Sequence, residues 1–294
     1  MKKKAFPVYD ITTFQHLGHG QDFYANDFRS HLKQNEDLIL LPHGHDFYMS
    51  VLITAGTGTH EIEFKNYLIK PGRVFMLAPG QAHTWKLSDD IDGYIFFHTK
   101  EFYDLNFTYE KVANYPFFSN LCNTPLIVLK KSALKKIEST FSEIVKEYHH
   151  NELMKFNKLP SMVNILYIEL SREYLPQKMR DDQNQPYLAR VRQLEELINK
   201  NFVEIRSAGR YARLMHVSEK HLNRMVKVTL NKTTSDLITE RIILEAKRML
   251  VFSKKNMAEI IDELGYTDSA YFFRFFKKKT ALTPTAFLEQ FRKV

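Results

Sequence analysis

The stretch Arg206–Val294 constrains this chain more than any other, because one local pattern occurs in it twice. A short helix-forming run with a small or aliphatic pivot, Ala212 and later Ile261, leads into a tight turn. A polar residue follows, Ser218 and later Asp268, and then a basic run with its own apolar stripe. Leu222, Arg224 and Lys227 recur at an offset of 50 as Phe272, Arg274 and Lys277, whereas His216 and Gly265 lie 49 apart, so the second turn is one residue longer. Ser and Asp cap helices by accepting hydrogen bonds from otherwise orphaned backbone N–H groups. Helix, turn and basic helix, twice over, predict two helix-turn-helix units, a motif that lays its second helix in the DNA major groove.

The charge agrees with that expectation. From Tyr187 to Val294 there are 21 Lys and Arg against 12 Asp and Glu, a formal +9; from Met1 to Pro186 there are 21 against 22, a formal −1. A basic excess confined to one part of a chain suits a polyanionic partner. No run approaches the roughly 18 apolar residues of a membrane helix. Pro7 and Asp10 interrupt what Met1-Lys2-Lys3-Lys4 could begin as an export signal, and the single Cys122 cannot form an internal disulfide. A cytoplasmic protein is therefore expected.

At 294 residues the chain has room for two domains. Residues 1–35 carry few periodic signals. From Asp37 to Thr99, short apolar or alternating runs rich in Val, Ile, Phe and Tyr are broken every ten or so residues by Gly, Pro, Asn or Asp. That pattern predicts an antiparallel β-sandwich or barrel. In His60-Glu61-Ile62-Glu63-Phe64, Ile62 and Phe64 fall on one face, the others less tidily around them. From Lys131 the period becomes helical: Ile137, Phe141, Ile144 and Tyr148 form one stripe. A second helix is expected from about Pro160, a residue suited to a first helical turn, to about Tyr174. Pro176–Pro186 is polar and proline-flanked and reads as a linker. Tyr187–Asn199 then opens the second domain, with Val191, Leu194 and Ile198 in its stripe.

Specific segments then resemble a known family. VSEKHLNRMVK, RIILEAKRML, ELGYTDSAYFFRFFKKK and LTPTAF look like the DNA-binding domain of the AraC/XylS family of bacterial transcription regulators, over about the last third of the chain. Val226 stands where the family usually has Phe, Asn231 and Ala281 where it has Gly, and Leu288 where it has Arg. Pro42-His43-Gly44-His45, Lys70-Pro71-Gly72 and Pro79-Gly80-Gln81-Ala82-His83 resemble the cupin barrel found at the N-terminus of many such regulators. The resemblance implies an α+β chain of two domains. These are an N-terminal cupin-like β-barrel with accessory helices over 1–175, a linker over 176–186, and a C-terminal all-α domain with two helix-turn-helix motifs over 187–294. It also implies a regulator, favouring activation, with double-stranded DNA, a small-molecule effector and RNA polymerase as partners, and a homodimer formed through the helices beside the barrel. From the sequence alone, those helices could equally pack on the barrel.

Two groups of site residues follow. Lys220, Asn223, Arg224 and Lys227 fall at helical steps on one face after Ser218. The resemblance turns Lys220, Asn223 and Arg224 towards base edges. Arg and Lys suit guanine and Asn suits adenine, while phosphate contact is the other reading, above all for Lys227. Ser269, Ala270, Phe273 and Arg274 occupy the corresponding second face, with Tyr271 close by and Lys277, Lys278 and Lys279 on phosphates. Phe273 either packs on a thymine methyl or is buried by a neighbouring helix. In the barrel, His43, His45 and His83 have the order of a cupin metal set, but Met49 and Ser50 stand where the set's Glu is expected. No metal or cofactor is assigned, and a cupin metal enzyme carrying a DNA-binding tail is the runner-up, beside a constitutive DNA-binding dimer. With Tyr48, Trp85 and Tyr94, the three histidines are instead expected to line an effector pocket, the alternative being plain core.

Overall fold

A computed structural model of the chain describes residues 6–14, 21–39, 41–118, 124–174 and 185–292. Two compact units divide it, one Pro7–Arg180 and the other Asp181–Val294 together with Phe6. Cys122, Met1–Lys4 and all but the last two residues of the expected linker lie outside the described residues.

In the first unit, β1 (Val8–Tyr9) and β2 (Phe23–Asp27) precede helices α1 (Phe28–Gln34) and α2 (Glu36–Ile39). Then come β3 (Gly44–His45), β4 (Tyr48–Ala55), β5 (Gly58–Ile62), β6 (Lys65–Ile69), β7 (Arg73–Leu77), β8 (His83–Leu87) and β9 (Asp92–His98). After α3 (Lys100–Asp104) and β10 (Leu126–Val128), α4 (Lys131–His149) and α5 (Lys155–Tyr174) close the unit. One antiparallel sheet has the order β10-β7-β4-β9-β2 and another β6-β5-β8, and β1 pairs with β3 in parallel.

The five-stranded sheet is buried on both faces. Along β4, Met49 lines an interior cavity. Its neighbour Tyr48 turns the other way onto Phe118, and Ser50 lies 3.3 Å from the Tyr167 hydroxyl of α5. Along β9, Ile95 and Phe97 line the cavity, while Phe96 packs on Phe141 of α4 and His98 Nε2 lies 2.7 Å from the Tyr167 hydroxyl. Successive strand side chains point to opposite faces, so both layers draw on the same two strands. The α4 stripe Ile137, Phe141, Ile144 and Tyr148 is buried. Each fully buried side chain of this size contributes about 1.5–3 kcal/mol.

Several local expectations change. The run starting at Asp37 begins in helix α2, because Leu38 and Ile39 donate their N–H groups back to the Asn35 carbonyl (3.0 and 3.3 Å). Strand β2 had little sequence signature, yet it pairs with β9 from Phe23↔His98 to Asp27↔Tyr94. His60–Ile69 is a hairpin rather than one alternating run. Glu63 and Phe64 form its two-residue turn at φ 50° and 64°, the conformation of a type I′ turn. Helix α5 starts at Lys155, and Pro160 lies inside it, where it forfeits one backbone bond.

The second unit consists of α6 (Gln185–Asn201), α7 (Ala208–Leu214), α8 (Glu219–Leu230), α9 (Thr234–Phe252), α10 (Met257–Glu263), α11 (Ser269–Thr280) and α12 (Pro284–Arg292). Gln185 and Pro186, read as linker, are its first helical residues. Ser207, Ser218, Thr233, Asn256 and Asp268 cap α7 to α11, and the caps of α9 and α10 are reciprocal boxes closed by Asp236 and Glu259. Leu222 and Val226 in α8 and their counterparts Phe272 and Phe276 in α11 are fully buried. The Arg206 guanidinium donates to the carbonyls of Leu264 and Gly265 and lies 3.9 Å over the Tyr266 ring. The α6–α7 connection is thereby clasped to the second turn.

His216 and Gly265 hold the same left-handed place in the two turns (φ 55° and 71°), and Asn231 and Ala281 the same place after α8 and α11 (φ 54° and 64°). Ala281→Gly should therefore stabilise the chain by up to about 1 kcal/mol. Gly265→Ala should destabilise it by more, since its Cβ would sit 3.1 Å from both Arg206 Nη2 and Val203 Cγ1. Urea titrations measure both; an Ala281→Gly protein no more stable than wild type would refute the strain at that cap.

Candidate DNA-contacting face and ligand cavity

In α8, Lys220, Arg224 and Lys227 are exposed along one face. The Ser218 hydroxyl accepts from the His221 N–H (3.2 Å) and is occupied as a cap, with only its own proton left to offer. Asn223 is half-buried, and its Oδ1 accepts from the Thr234 N–H at the start of α9 (3.0 Å). One lone pair of that oxygen thus helps position α9, while its second lone pair and the two amide protons remain for a base edge. In α11, Ser269, Tyr271, Arg274, Lys277 and Lys278 are exposed. Phe273, the counterpart of Asn223, is half-buried, with its ring 6.4 Å from Phe272. It is thus neither sealed in the core nor fully presented.

None of Lys220, Arg224, Arg274, Lys277 and Lys278 forms an ion pair among the described residues. Two capped helices therefore each display unneutralised cations on their outer faces. Helix α9, with 19 residues, links the α7–α8 unit to the α10–α11 unit and is about 28 Å long at 1.5 Å per residue.

The interior of the first unit holds the other candidate site. His43, His45, His83 and Trp85 line one cavity, with Phe14, Phe28, Phe47, Met49, Ile95 and Phe97 among its apolar walls. Tyr48 and Tyr94 do not line it. Tyr48 faces Phe118 and His98, and Tyr94 shares the strand face of Phe96 and His98, towards the helices. The cavity leaves about 10 Å³ for the centre of a water molecule, the lower limit for holding one.

Two histidines were missed. His60 faces inward with Ile62, its partner at i+2, and its Nε2 lies 3.0 Å from His83 Nδ1. Its ring stacks on Trp85 with centroids 3.3 Å apart. The alternation of β5 carried that signal, but the turn at Glu63-Phe64 obscured it. His31, on α1, also lines the cavity. His43 Nδ1 lies 2.9 Å from the Leu41 carbonyl oxygen and His45 Nδ1 2.8 Å from that of Phe47. A carbonyl only accepts, so both Nδ1 atoms carry protons and, in the neutral rings, both Nε2 atoms carry lone pairs. Burial pushes His31 and His45 down to about 3. It holds His60 and His83 well below the ordinary imidazole range, with repulsion from His43 adding to the effect.

A barrel unit joined to two helix-turn-helix units defines a class of ligand-responsive DNA-binding proteins, and the sequence comparisons are specific about which. Residues 33–97 match the AraC-like ligand binding domain, and residues 211–290 match a helix-turn-helix domain. Among curated relatives, the HTH-type transcriptional activator RhaS of Mannheimia succiniciproducens is 22% identical over 280 residues, covering 90% of this chain and 97% of its own. The HTH-type transcriptional activator RhaR of the same organism is 22% identical over 257 residues, covering 85% and 88%. Of solved structures, fatty-acid-bound ToxT of Vibrio cholerae aligns over 95% of this chain and 99% of its own, at 15% identity and a TM-score of 0.43. The chain carries the two domains of an AraC-type regulator: the AraC-like, cupin-type ligand-binding domain and the helix-turn-helix domain.

The buried histidines give the first unit a pH dependence. Unfolded imidazoles take up protons near pH 6.5, whereas the folded ones resist until far lower. The unfolded chain therefore binds protons first as pH falls. Stability should be fully present above about pH 6.5 and fall below it by up to about 1.4 kcal/mol per pH unit for each such histidine. Melting curves of the full chain between about pH 7.5 and 5 measure this; a flat profile would show that the imidazoles are not held neutral.

Proposed function

We propose that this chain is a sequence-specific DNA-binding transcriptional regulator, an activator, whose N-terminal domain responds to a small molecule. The observation that carries the reading is the pair of capped basic helices, α8 and α11, each presenting unpaired Lys and Arg side chains and held apart by one continuous helix. The length of α9, about 28 Å, is comparable to the ~34 Å advance of one DNA turn. That suits two readings of adjacent major-groove segments from one face. Arg224 and Arg274 read bases, with Lys220 and Asn223 beside them; Lys227, Lys277 and Lys278 hold phosphates, and Ser218, Ser269, Tyr271 and Phe273 border the contact. The working division of the chain is a sensor over 1–175, a linker over 176–186 and a DNA-binding domain over 187–294.

The cavity bounded by His43, His45, His83 and Trp85 is the effector site of this reading. At about 10 Å³ it is far below the roughly 300 Å³ of a small-molecule pocket. An effector must therefore bind an opened form, and it acts by the difference in its affinity for the two forms. The chain works in the cytoplasm as a regulator rather than a catalyst, with RNA polymerase as the partner through which it activates. No described helix is long and apolar enough to cross a membrane. The homodimer of this reading uses α5, whose Ile165 and Ile168 stand 56% and 39% exposed on the face turned away from the sheet.

Genome-wide mapping of bound sites in the native host, followed by titration of the full chain on a recovered site, tests the DNA reading. Arg224→Ala and Arg274→Ala should each cost about 1–3 kcal/mol and relax preference at particular base pairs. Lys278→Ala should weaken all sequences alike and make the salt dependence shallower by about one unit. A folded chain with no DNA affinity at low salt would end this reading. In sedimentation, Ile165→Asp with Ile168→Asp should convert a dimer into a folded monomer; a dimer unaffected by both changes would place the interface elsewhere.

A further inference from the structure

The polar atoms left over in the cavity say what kind of group it receives, given the reading of the cavity as the effector site. His45 Nε2 and His83 Nε2, on rings that line the cavity, are buried with no hydrogen-bond partner among the described residues, as is Nδ1 of His60, which lies behind the lining. Their proton states follow from the opposite edge of each ring. His45 Nε2 is an acceptor, because its Nδ1–H is given to the Phe47 carbonyl. His60 and His83 share one hydrogen bond, between His60 Nε2 and His83 Nδ1. If His83 donated it, the proton of His60 would sit on Nδ1, buried beside the stacked Trp85 ring with nothing described to receive it. Either direction leaves one N–H and one lone pair unmatched, so the two differ only in which ring carries the N–H. With His60 donating, the unmatched proton sits on His83 Nε2 instead. That edge of His83 points away from His60, on a ring that lines the cavity 4.3 Å from the His43 ring and 5.2 Å from that of His45.

We propose that this cavity recognises a hydroxyl group of a neutral, largely apolar ligand, the hydroxyl donating to His45 Nε2 and accepting from His83 Nε2–H. A hydroxyl has one donor and two acceptor lone pairs, which matches one acceptor and one donor side by side. A carboxylate has only acceptors and would set its charge against the His45 lone pair. An ammonium has only donors and would face the His83 proton. The space admits one water-sized group, so it measures the hydroxyl and not the body attached to it. Phe28, Phe47, Ile95 and Phe97 supply the apolar surround. The body enters by displacing Leu32 and Ile39, which wall the cavity from α1 and α2.

Two measurements on the full chain decide this. With ¹⁵N-labelled histidine, long-range proton–nitrogen correlation spectra at about pH 7.5 report each tautomer. His43 and His45 should be protonated on Nδ1, and His60 and His83 on Nε2. His45 protonated on Nε2, or His83 on Nδ1, overturns the proposal. Benzyl alcohol, toluene, benzoate and benzylammonium are then titrated while the cavity histidine signals and the fluorescence of Trp85, the chain's single tryptophan, are followed. Benzyl alcohol should bind saturably and roughly tenfold or more tighter than the other three, as befits a matched hydrogen-bonding pair. His45→Phe should bring benzyl alcohol and toluene to equal affinity, while His98→Phe, at a buried histidine outside the cavity lining, should keep the preference. Should either variant fail to fold, the wild-type ranking and tautomers still decide. Toluene or benzoate binding as well as benzyl alcohol, with the same signals moving, refutes the hydroxyl and leaves the effector site standing. No probe moving those signals up to its solubility limit overturns both.

Discussion

The sensor unit depends on one constraint: its five-stranded sheet is buried on both faces. β4 and β9 lie at its centre, and their alternate residues fill two different layers. Met49, Ile95 and Phe97 close the interior cavity, while Tyr48, Ser50, Phe96 and His98 meet α3–α5 and the segment around Phe118. The Tyr167 hydroxyl, within hydrogen-bond distance of both Ser50 and His98, supplies the polar match that lets α5 cover the sheet without orphaning either group. Shifting one strand by a residue would exchange the contents of the two layers, so packing of the helices and shape of the cavity are set together.

The cavity inherits its chemistry from this arrangement. Histidines placed among phenylalanines are desolvated and stay neutral, and a neutral imidazole has one donor and one acceptor that must both be placed. Backbone carbonyls of Leu41 and Phe47 take the donors of His43 and His45, and His60 takes one edge of His83. What remains points inward. A polar site of fixed hydrogen-bonding character thus arises because each ring is held by its outer edge.

The DNA-binding unit is held by different means. Two of its helices are short: α7 and α10 have seven residues each, too few to persist alone. Side-chain caps satisfy their first N–H groups, buried Leu222, Val226, Phe272 and Phe276 anchor the two basic helices, and Arg206 ties the first half to the turn of the second. Asn223 does a similar task between α8 and α9. The outer faces of α8 and α11 contribute little to this packing, which leaves their Lys and Arg side chains available to a polyanion.

The sequence by itself determined the two helix-turn-helix units and the one-residue difference between their turns. It also determined the helical stripe of α4 and the strand-rich character of the first unit. Each of these rests on local periodicity, capping or turn chemistry, which neighbouring residues fully specify. It grouped His43, His45 and His83 through the cupin resemblance and Trp85 through its nearness to His83, and the His43–His83 bridge brings them to one cavity. Only the tertiary structure decided the rest. The short strand β2 exists because β9 is there to pair with it. The hairpin turn at Glu63-Phe64 lacks the Asn-Gly or Asp-Gly that would announce it, and with it went the inward place of His60. Tyr48 and Tyr94 were aromatic and nearby in sequence, but a strand buried on both sides gives no polar alternation to say which face a residue takes. Asn223 belonged to the polar stripe of its helix, and the Thr234 N–H that claims its oxygen is eleven residues away. In each case the deciding partner is brought up by the fold, so no pattern within the segment could reveal it.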